Sequence, residues 1–160
     1  MHQTTAAFVD TARALGIEVV PRTFPEGTRT ADDAAAAIGV DVAQIVKSLV
    51  FRAVADDGSS QLVMALVSGS NRLDETALAA VGGFDHTERA DAADVRRATG
   101  YAIGGVPPFG HTTELAVFVD IDLLSHDEVW AAAGTPNDVF PLTPDQLVRT
   151  SGGTVADVAR

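Results

Sequence analysis

The spacing of apolar and polar residues predicts a succession of short strands and helices along the whole chain. Apolar residues recur at helical spacing over Thr5–Leu15, and Gly16 ends that helix. Near-continuous apolar runs predict buried strands over Val46–Phe51 and Gln61–Val67, joined by a turn at Asp56-Asp57-Gly58. Further helices are predicted over Ala31–Ile38, Asp74–Val81, Ala92–Thr99 and Pro144–Thr150, with a helical turn from Asp41 to Ile45. Further strands are predicted over Ile17–Phe24, Phe84–Thr87, Tyr101–Ile103, Leu115–Asp120, Glu128–Ala133, Val139–Leu142 and Thr154–Val158.

These elements predict one mixed α+β domain over residues 1–160. Strands outnumber helices and several are linked by hairpins, which favours a mixed or antiparallel sheet over a doubly wound one. No linker, repeat or low-complexity tract divides the 160 residues. A chain of this length is large enough to bury a core of its own.

The strand Val46–Phe51 carries an unusual residue. Alternation places Val46, Ser48 and Val50 on one face, and Lys47, Leu49 and Phe51 on the other. Lys47 is the only lysine beside ten arginines. It either extends to solvent along its aliphatic stem or lines a cleft that needs a compact ammonium, which a planar guanidinium does not replace.

A glycine- and proline-rich loop, Gly104 to His111, follows the predicted strand Tyr101–Ile103. Glycine lets a ligand approach the backbone closely and permits positive φ, while proline fixes φ and removes a donor. The loop is therefore either a stiff turn or a binding rim with few, well-directed N–H groups. It is not a common phosphate or dinucleotide loop, because it lacks the Gly-Lys-Ser/Thr ending and a strand follows it.

Composition narrows the possible chemistry. The net charge of −11 argues against wide, nonspecific contact with a phosphate backbone. The absence of cysteine excludes disulfides and thiolate catalysis. Neither a long apolar run nor a signal pattern is present, so we expect a cytoplasmic protein without a membrane partner.

Standard catalytic motifs are missing as well. The four histidines lack metal-ligand spacing, so we expect neither a metal nor a cofactor. Asp120 and Asp122 are a candidate pair of ligands or of acid and base, although the end of a strand is an ordinary place for aspartate. With no evident nucleophile, an enzyme built on this chain would work by positioning and electrostatics.

Three segments carry a resemblance to a known family. They run from Ala34–Gly39 through Asp41 to Ile45-Val46-Lys47-Ser48-Leu49, from Thr99-Gly100-Tyr101 to Gly104-Gly105-Val106-Pro107-Pro108, and over Pro141-Leu142-Thr143-Pro144-x-x-Leu147. With them, the chain resembles the YbaK / prolyl-tRNA synthetase editing-domain family from about Thr4 to Val158. The resemblance implies a mixed, barrel-like sheet with flanking helices and hydrolysis of the ester that joins a wrong amino acid to tRNA.

The resemblance also implies the site residues. It assigns Lys47 as catalytic and makes the Gly104 loop a binding loop, with His111 either a proton carrier or a structural residue. Where several relatives have Ser-Gly-Gly, this chain has Ala132-Ala133-Gly134, which bears on the choice of amino acid. The substrate-binding candidates are Ser48, Gly104, Gly105, Val106, Pro107, Pro108, Phe109, Gly110, His111, Gly134 and Thr135.

Two other functions stay open from the sequence. One is a non-catalytic module that binds an aminoacyl-tRNA end or a nucleotide, and the other is a hydrolase of a small ester unrelated to tRNA. The expected partner is the aminoacylated 3′ end of tRNA, with an aminoacyl-tRNA synthetase as a further candidate and no DNA.

Overall fold

The computed structural model describes residues 1–160, and its chain folds into two β-sheets with five α-helices. The helices are α1 (Gln3–Ala14), α2 (Ala31–Ile38), α3 (Glu75–Gly82), α4 (Ala92–Thr99) and α5 (Pro144–Ser151). The strands are β1 (Arg22–Thr23), β2 (Val46–Val54), β3 (Ser60–Ser68), β4 (His86–Arg89), β5 (Ala116–Asp120), β6 (Val129–Ala132), β7 (Asp138–Leu142) and β8 (Thr154–Ala156).

The larger sheet is mixed, as the sequence predicts. Its strand order is β4-β2-β3-β5-β8, with antiparallel pairing up to β3 and parallel pairing of β5 with β3 and with β8. The smaller sheet, β1-β7-β6, is antiparallel. The two sheets face each other without closing into one barrel, and an isolated bridge from Ile45 to Trp130 links them.

The core lies on both faces of the larger sheet because β2 and β3 alternate in the predicted way. Val46 and Val50 join a cluster of 20 buried residues shared with α1 and the smaller sheet. Phe51 joins a second cluster, under α3, against which Leu49 packs. A third, smaller cluster lies between α2 and the smaller sheet, where Ala34 and Ala35 meet Trp130.

Several helix ends are fixed by residues that the sequence singles out. The hydroxyl of Thr30 accepts a hydrogen bond from the Asp33 N–H, which satisfies one of the free donors at the start of α2. Thr143 and Gln146 form a reciprocal capping box at the start of α5. The N–H of Asp41 donates to the side-chain oxygen of Gln44 at 3.1 Å, which stabilises the 3-10 turn Val42–Gln44 directly before β2.

One predicted strand is much shorter than expected, another is wrong, and one 3-10 helix has no counterpart in the prediction. Only Arg22–Thr23 of the predicted strand Ile17–Phe24 pairs with a neighbouring strand, whereas Ile17 and Val19 contribute buried side chains outside either sheet. The predicted strand Tyr101–Ile103 is a turn instead, closed by a hydrogen bond from the Gly105 N–H to the Ala102 carbonyl. A 3-10 helix over Ile121–Ser125 follows β5, and the sequence pattern does not predict it.

Candidate functional site

A cavity of about 410 Å³ lies where the two sheets and α2 meet. Its walls come from the start of α2, the start of β2, the turn Ile103–Val106, strand β6 and Val139. Most of the 17 lining residues are apolar, and the charged ones are Arg29 and Lys47. No aspartate, glutamate or histidine lines it. The cavity therefore suits a ligand with an apolar part and a negative or electron-rich part.

Lys47 lies on the wall at the second residue of β2. Its ammonium donates a hydrogen bond to the backbone carbonyl of Asn71 in the loop after β3. Burial lowers the pKa of Lys47 and the nearby Arg72 lowers it further, whereas Asp120 and Asp32 act in the opposite direction. The lysine is thus a partly desolvated cation, held at one side of the cavity.

Ser48 occupies the opposite face of β2 and also lines the cavity. Its buried hydroxyl is the one buried side-chain polar group in the protein without a hydrogen-bond partner. Ser48 also lines a second, smaller cavity of about 100 Å³, which shares Leu49, Ile103, Gly104 and Val106 with the first. Ser48 therefore lies at the junction of two adjoining spaces, with no bond in the protein to hold its hydroxyl in place.

The turn at Gly104 forms the facing wall. Gly104 has φ of +93°, a conformation that favours glycine. Gly105 packs against the turn after β6 so closely that a Cβ would come within 2.8 Å of the Thr135 Cα and 2.9 Å of the Gly134 carbonyl oxygen. The N–H groups of Gly104 and Val106 donate no hydrogen bond within the protein. Two backbone donors are therefore free where the turn meets the cavity.

The remainder of the predicted loop lies away from the cavity. Pro107, Pro108 and Phe109 are buried, and Phe109 stacks on Phe8 of α1 with ring centroids 5.2 Å apart. Gly110 lies against α1. These residues anchor the turn in the core.

His111 also lies outside the cavity. Its Nε2 is 2.7 Å from the carbonyl oxygen of Pro107, and since a carbonyl only accepts, Nε2 carries the proton. Burial lowers the pKa of His111, and the hydrogen bond to Pro107 opposes this in part. The neutral imidazole thus closes the loop on itself.

The turn that supports Gly105 is fixed by a buried carboxylate. Asp138, 1% exposed, accepts hydrogen bonds from the hydroxyls of Thr5, Thr23 and Thr135. Burial raises the pKa of Asp138, but these three bonds outweigh it and the net shift is downward. Gly134 and Thr135 thereby form a rigid backing for Gly105 rather than part of the cavity wall.

Asp120 and Asp122 meet at the side chain of Asn71. The Asn71 amide nitrogen lies 2.9 Å from Asp120 Oδ2 and 2.8 Å from Asp122 Oδ2. No group of three or more histidine, aspartate or glutamate side chains is arranged to hold a metal ion. The two carboxylates lie behind Lys47 and outside the cavity wall.

The sequence does not predict several residues of the cavity wall as parts of a site. They are Thr28, Arg29, Thr30, Ile103 and Trp130, and Ala132 lies beside them. Only Thr30 carries a local signal, as the cap of α2. The others reach the cavity because α2 and the smaller sheet fold over β2, and their spacing along the chain does not indicate this.

The chain is thus a two-sheet α/β domain with a largely apolar cavity next to a held lysine. A family model for the aminoacyl-tRNA editing domain matches residues 25–150. The chain is 32% identical over 124 residues to the uncharacterized protein YwhH of Bacillus subtilis, covering 78% of this chain and 76% of that protein. The chain belongs to the aminoacyl-tRNA editing domain family.

Two further relatives place that domain in different settings. The proline–tRNA ligase of Nautilia profundicola is 32% identical over 117 residues, which cover 72% of this chain but 20% of the ligase. A solved structure described as "a putative trans-editing enzyme for prolyl tRNA synthetase" has a TM-score of 0.90 and 41% identity. It is matched over 100% of this chain and 99% of its own. None of the five helices here has the length and apolar character needed to span a bilayer.

Proposed function

We propose that this protein is an aminoacyl-tRNA deacylase, which cleaves the ester between a wrong amino acid and the 3′ end of tRNA. The observation that carries the proposal is that Lys47 and two residues with free N–H groups, Gly104 and Val106, line the same cavity. Membership of the editing-domain family supports it. The reaction would take place in the cytoplasm, where charged tRNA is used.

In this proposal the cavity holds the aminoacyl group and the terminal ribose. The Lys47 ammonium attracts the terminal phosphate or the ester oxygen. The N–H groups of Gly104 and Val106 face the carbonyl oxygen and stabilise the negative charge that develops there when water attacks. The wall offers no carboxylate or imidazole as a base, so we propose that a ribose hydroxyl of the substrate assists the water.

The choice of tRNA and amino acid is a further part of the proposal. Similarity to a proline–tRNA ligase, and to a structure described as serving prolyl tRNA synthetase, makes tRNAs charged by that synthetase the first substrates to test. Ala132 lines the cavity, and it stands where the family resemblance places the serine of Ser-Gly-Gly. A methyl group at this position offers no hydrogen-bonding group to the ligand there, which favours an apolar amino-acid side chain.

The test is release of amino acid from a panel of correctly and wrongly charged tRNAs. We expect Lys47→Ala to lose about 100-fold or more in rate, the range for removing one preorganised electrostatic group. Lys47→Arg should lose much of the activity too, because the guanidinium is planar and wider. Arg13→Ala is the matched control, since it removes one exposed positive charge on α1 that pairs only with Asp10 and Glu18.

Full activity in Lys47→Ala would refute the assignment of the lysine. A second candidate function is a module that binds the aminoacyl end without cleaving it, and the absence from the wall of a carboxylate or imidazole that could act as a general base favours it. Binding of charged tRNA without release of amino acid from any member of the panel would select that function. Cleavage of small esters but of no charged tRNA would select a small-molecule hydrolase.

A further inference from the structure

The buried carboxylate of Asp120 is the centre of a hydrogen-bond network behind Lys47. Asp120 is 1% exposed. Its Oδ2 accepts hydrogen bonds from the Ser68 N–H at 3.0 Å and from the Asn71 side chain at 2.9 Å. Its Oδ1 accepts a hydrogen bond from the Asp122 N–H at 3.0 Å. The carboxylate thus joins the ends of β3 and β5 to the loop that contains Asn71.

Asn71 transmits this network to the lysine. Its side-chain amide bridges Asp120 and Asp122, so the residue is held from two sides. Its N–H donates to the Ser68 carbonyl at 2.9 Å, which closes a tight turn. The carbonyl of this fixed residue is the acceptor for the Lys47 ammonium. Few degrees of freedom remain between the buried carboxylate and the cation.

We propose that Asp120 and Asn71 are positioning residues that form a clamp on Lys47 and fix its ammonium at the edge of the cavity. The catalytic meaning of this clamp rests on the proposed deacylase function, whereas its effect on the lysine does not. An anchor for the loop alone would be complete with the two backbone N–H groups of Ser68 and Asp122. The third bond, to Asn71, adds the residue whose carbonyl receives the lysine.

The clamp also acts on the charge of Lys47. Burial and Arg72 lower the pKa of the lysine, and Asp120 and Asp32 favour the protonated form. Arg29 is the other charged residue in the cavity wall. Loss of the Asp120 charge, or release of the Asn71 carbonyl, should therefore lower the pKa of Lys47 further. A purely structural role for Asp120 predicts a loss of stability without this effect.

The single lysine makes the ionisation of Lys47 directly measurable. Reductive methylation with ¹³C-formaldehyde labels only Lys47 and the N-terminal amine, because the chain has one lysine. Titration of the two NMR signals gives the pKa of each. We expect the Lys47 signal to titrate at lower pH in Asn71→Ala and in Asp120→Asn than in the wild type. Asp127→Asn is the matched control, since it removes one exposed negative charge from a side chain outside this network.

Deacylation kinetics provide the second readout. We expect kcat/KM to fall about 10- to 100-fold in Asn71→Ala, the scale reported for small misplacements of a catalytic group. Asp127→Asn should stay near the wild-type value. An unchanged Lys47 pKa in Asn71→Ala would overturn the clamp, and so would a shift of equal size in Asp127→Asn.

The two readouts still decide the proposal if Asp120→Asn does not fold or if the wild type proves inactive. If Asp120→Asn does not fold, Asn71→Ala decides, because Asn71 lies in a partly exposed loop. If the wild type releases no amino acid from any charged tRNA, the proposed function fails. The NMR titration still decides whether the clamp controls Lys47.

Discussion

Replacing Ser48 by alanine should make the protein more stable and less active. The Ser48 hydroxyl is buried at the junction of the two cavities and has no hydrogen-bond partner. Leaving a buried polar group unpaired costs about 1–3 kcal/mol. Alanine removes that group and adds no volume, so the free energy of unfolding should rise by about 1 kcal/mol once the smaller packing loss is subtracted.

For a domain of 150–250 residues, about 1 kcal/mol corresponds to a rise of about 2–4 °C in Tm. Urea unfolding and a thermal melt, both followed by far-UV circular dichroism, measure the two quantities. The matched control is Ser68→Ala on the adjacent strand. Ser68 is also buried, but its hydroxyl donates to the Ala43 carbonyl at 2.7 Å. Its removal leaves that carbonyl unpaired and should lower the free energy of unfolding by about 1–2 kcal/mol.

The activity of Ser48→Ala should change in the opposite direction. A hydroxyl with no partner in the protein is free to turn toward a bound aminoacyl group, at the cost of one staggered rotation about its Cα–Cβ bond. A neutral hydrogen bond of about 0.5–1.5 kcal/mol corresponds to a loss of about 2- to 13-fold in kcat/KM. A Ser48→Ala variant that is destabilised as much as Ser68→Ala, or that keeps full deacylation activity, would refute this reasoning.

Three other substitutions test the support of the site. Gly105→Ala should lower deacylation about 100-fold, because its Cβ would press on the Thr135 backbone and displace the neighbouring donors; wild-type kinetics would contradict the rigid backing. His111→Ala should stay within about tenfold of the wild type, since its Nε2–H only closes the loop on Pro107; a loss in the range of about 100- to 10,000-fold would instead indicate acid–base catalysis. Asp138→Asn should lower the free energy of unfolding at pH 7 and make that free energy less dependent on pH. The pKa of Asp138 is lowered in the folded state, so its carboxylate gives stability above about pH 4, and this stability is lost as the pH falls through the folded-state pKa. Urea unfolding at pH 7 and pH 3 measures the change in the free energy of unfolding between the two pH values. An equal change in the wild type and in Asp138→Asn would contradict this prediction.

The elements that the sequence predicts correctly are those in which local pattern and tertiary packing agree. β2 combines alternation with a long hairpin partner, so the opposite faces of Lys47 and Ser48 follow from the sequence. Ile17 and Val19 also flank a polar residue, but alternate burial of side chains outside a sheet produces the same pattern as a strand. The apolar residues of Tyr101–Ile103 predict a strand, but the segment is a turn whose hydrogen bonds involve Thr99 and Gly105.

The site is predictable only in part, for a geometrical reason. Lys47, Ser48 and Gly104 stand out by residue type, and the fold brings all three to one cavity. Arg29 and Trp130 are ordinary in type, and only the packing of α2 and the smaller sheet brings them there. The glycine and proline content of Pro107 to His111 is typical of a rigid rim around a binding site. In the structure, however, most of the rigidity of this segment comes from its burial against α1, which no local sequence pattern indicates.

The parallel pairing of β5 with β3 has a consequence for the order in which the protein assembles. The β2–β3 hairpin is local and can form early, whereas β5 must return across the α3, β4 and α4 segments before it pairs. The turn at Gly104 belongs to that same return segment, and strands β6 and β7 of the smaller sheet come later still in the chain. No local hairpin therefore contains both Lys47 and the turn at Gly104, so recovery of deacylation during refolding should report the final closure of the long connections rather than the first formation of the sheet.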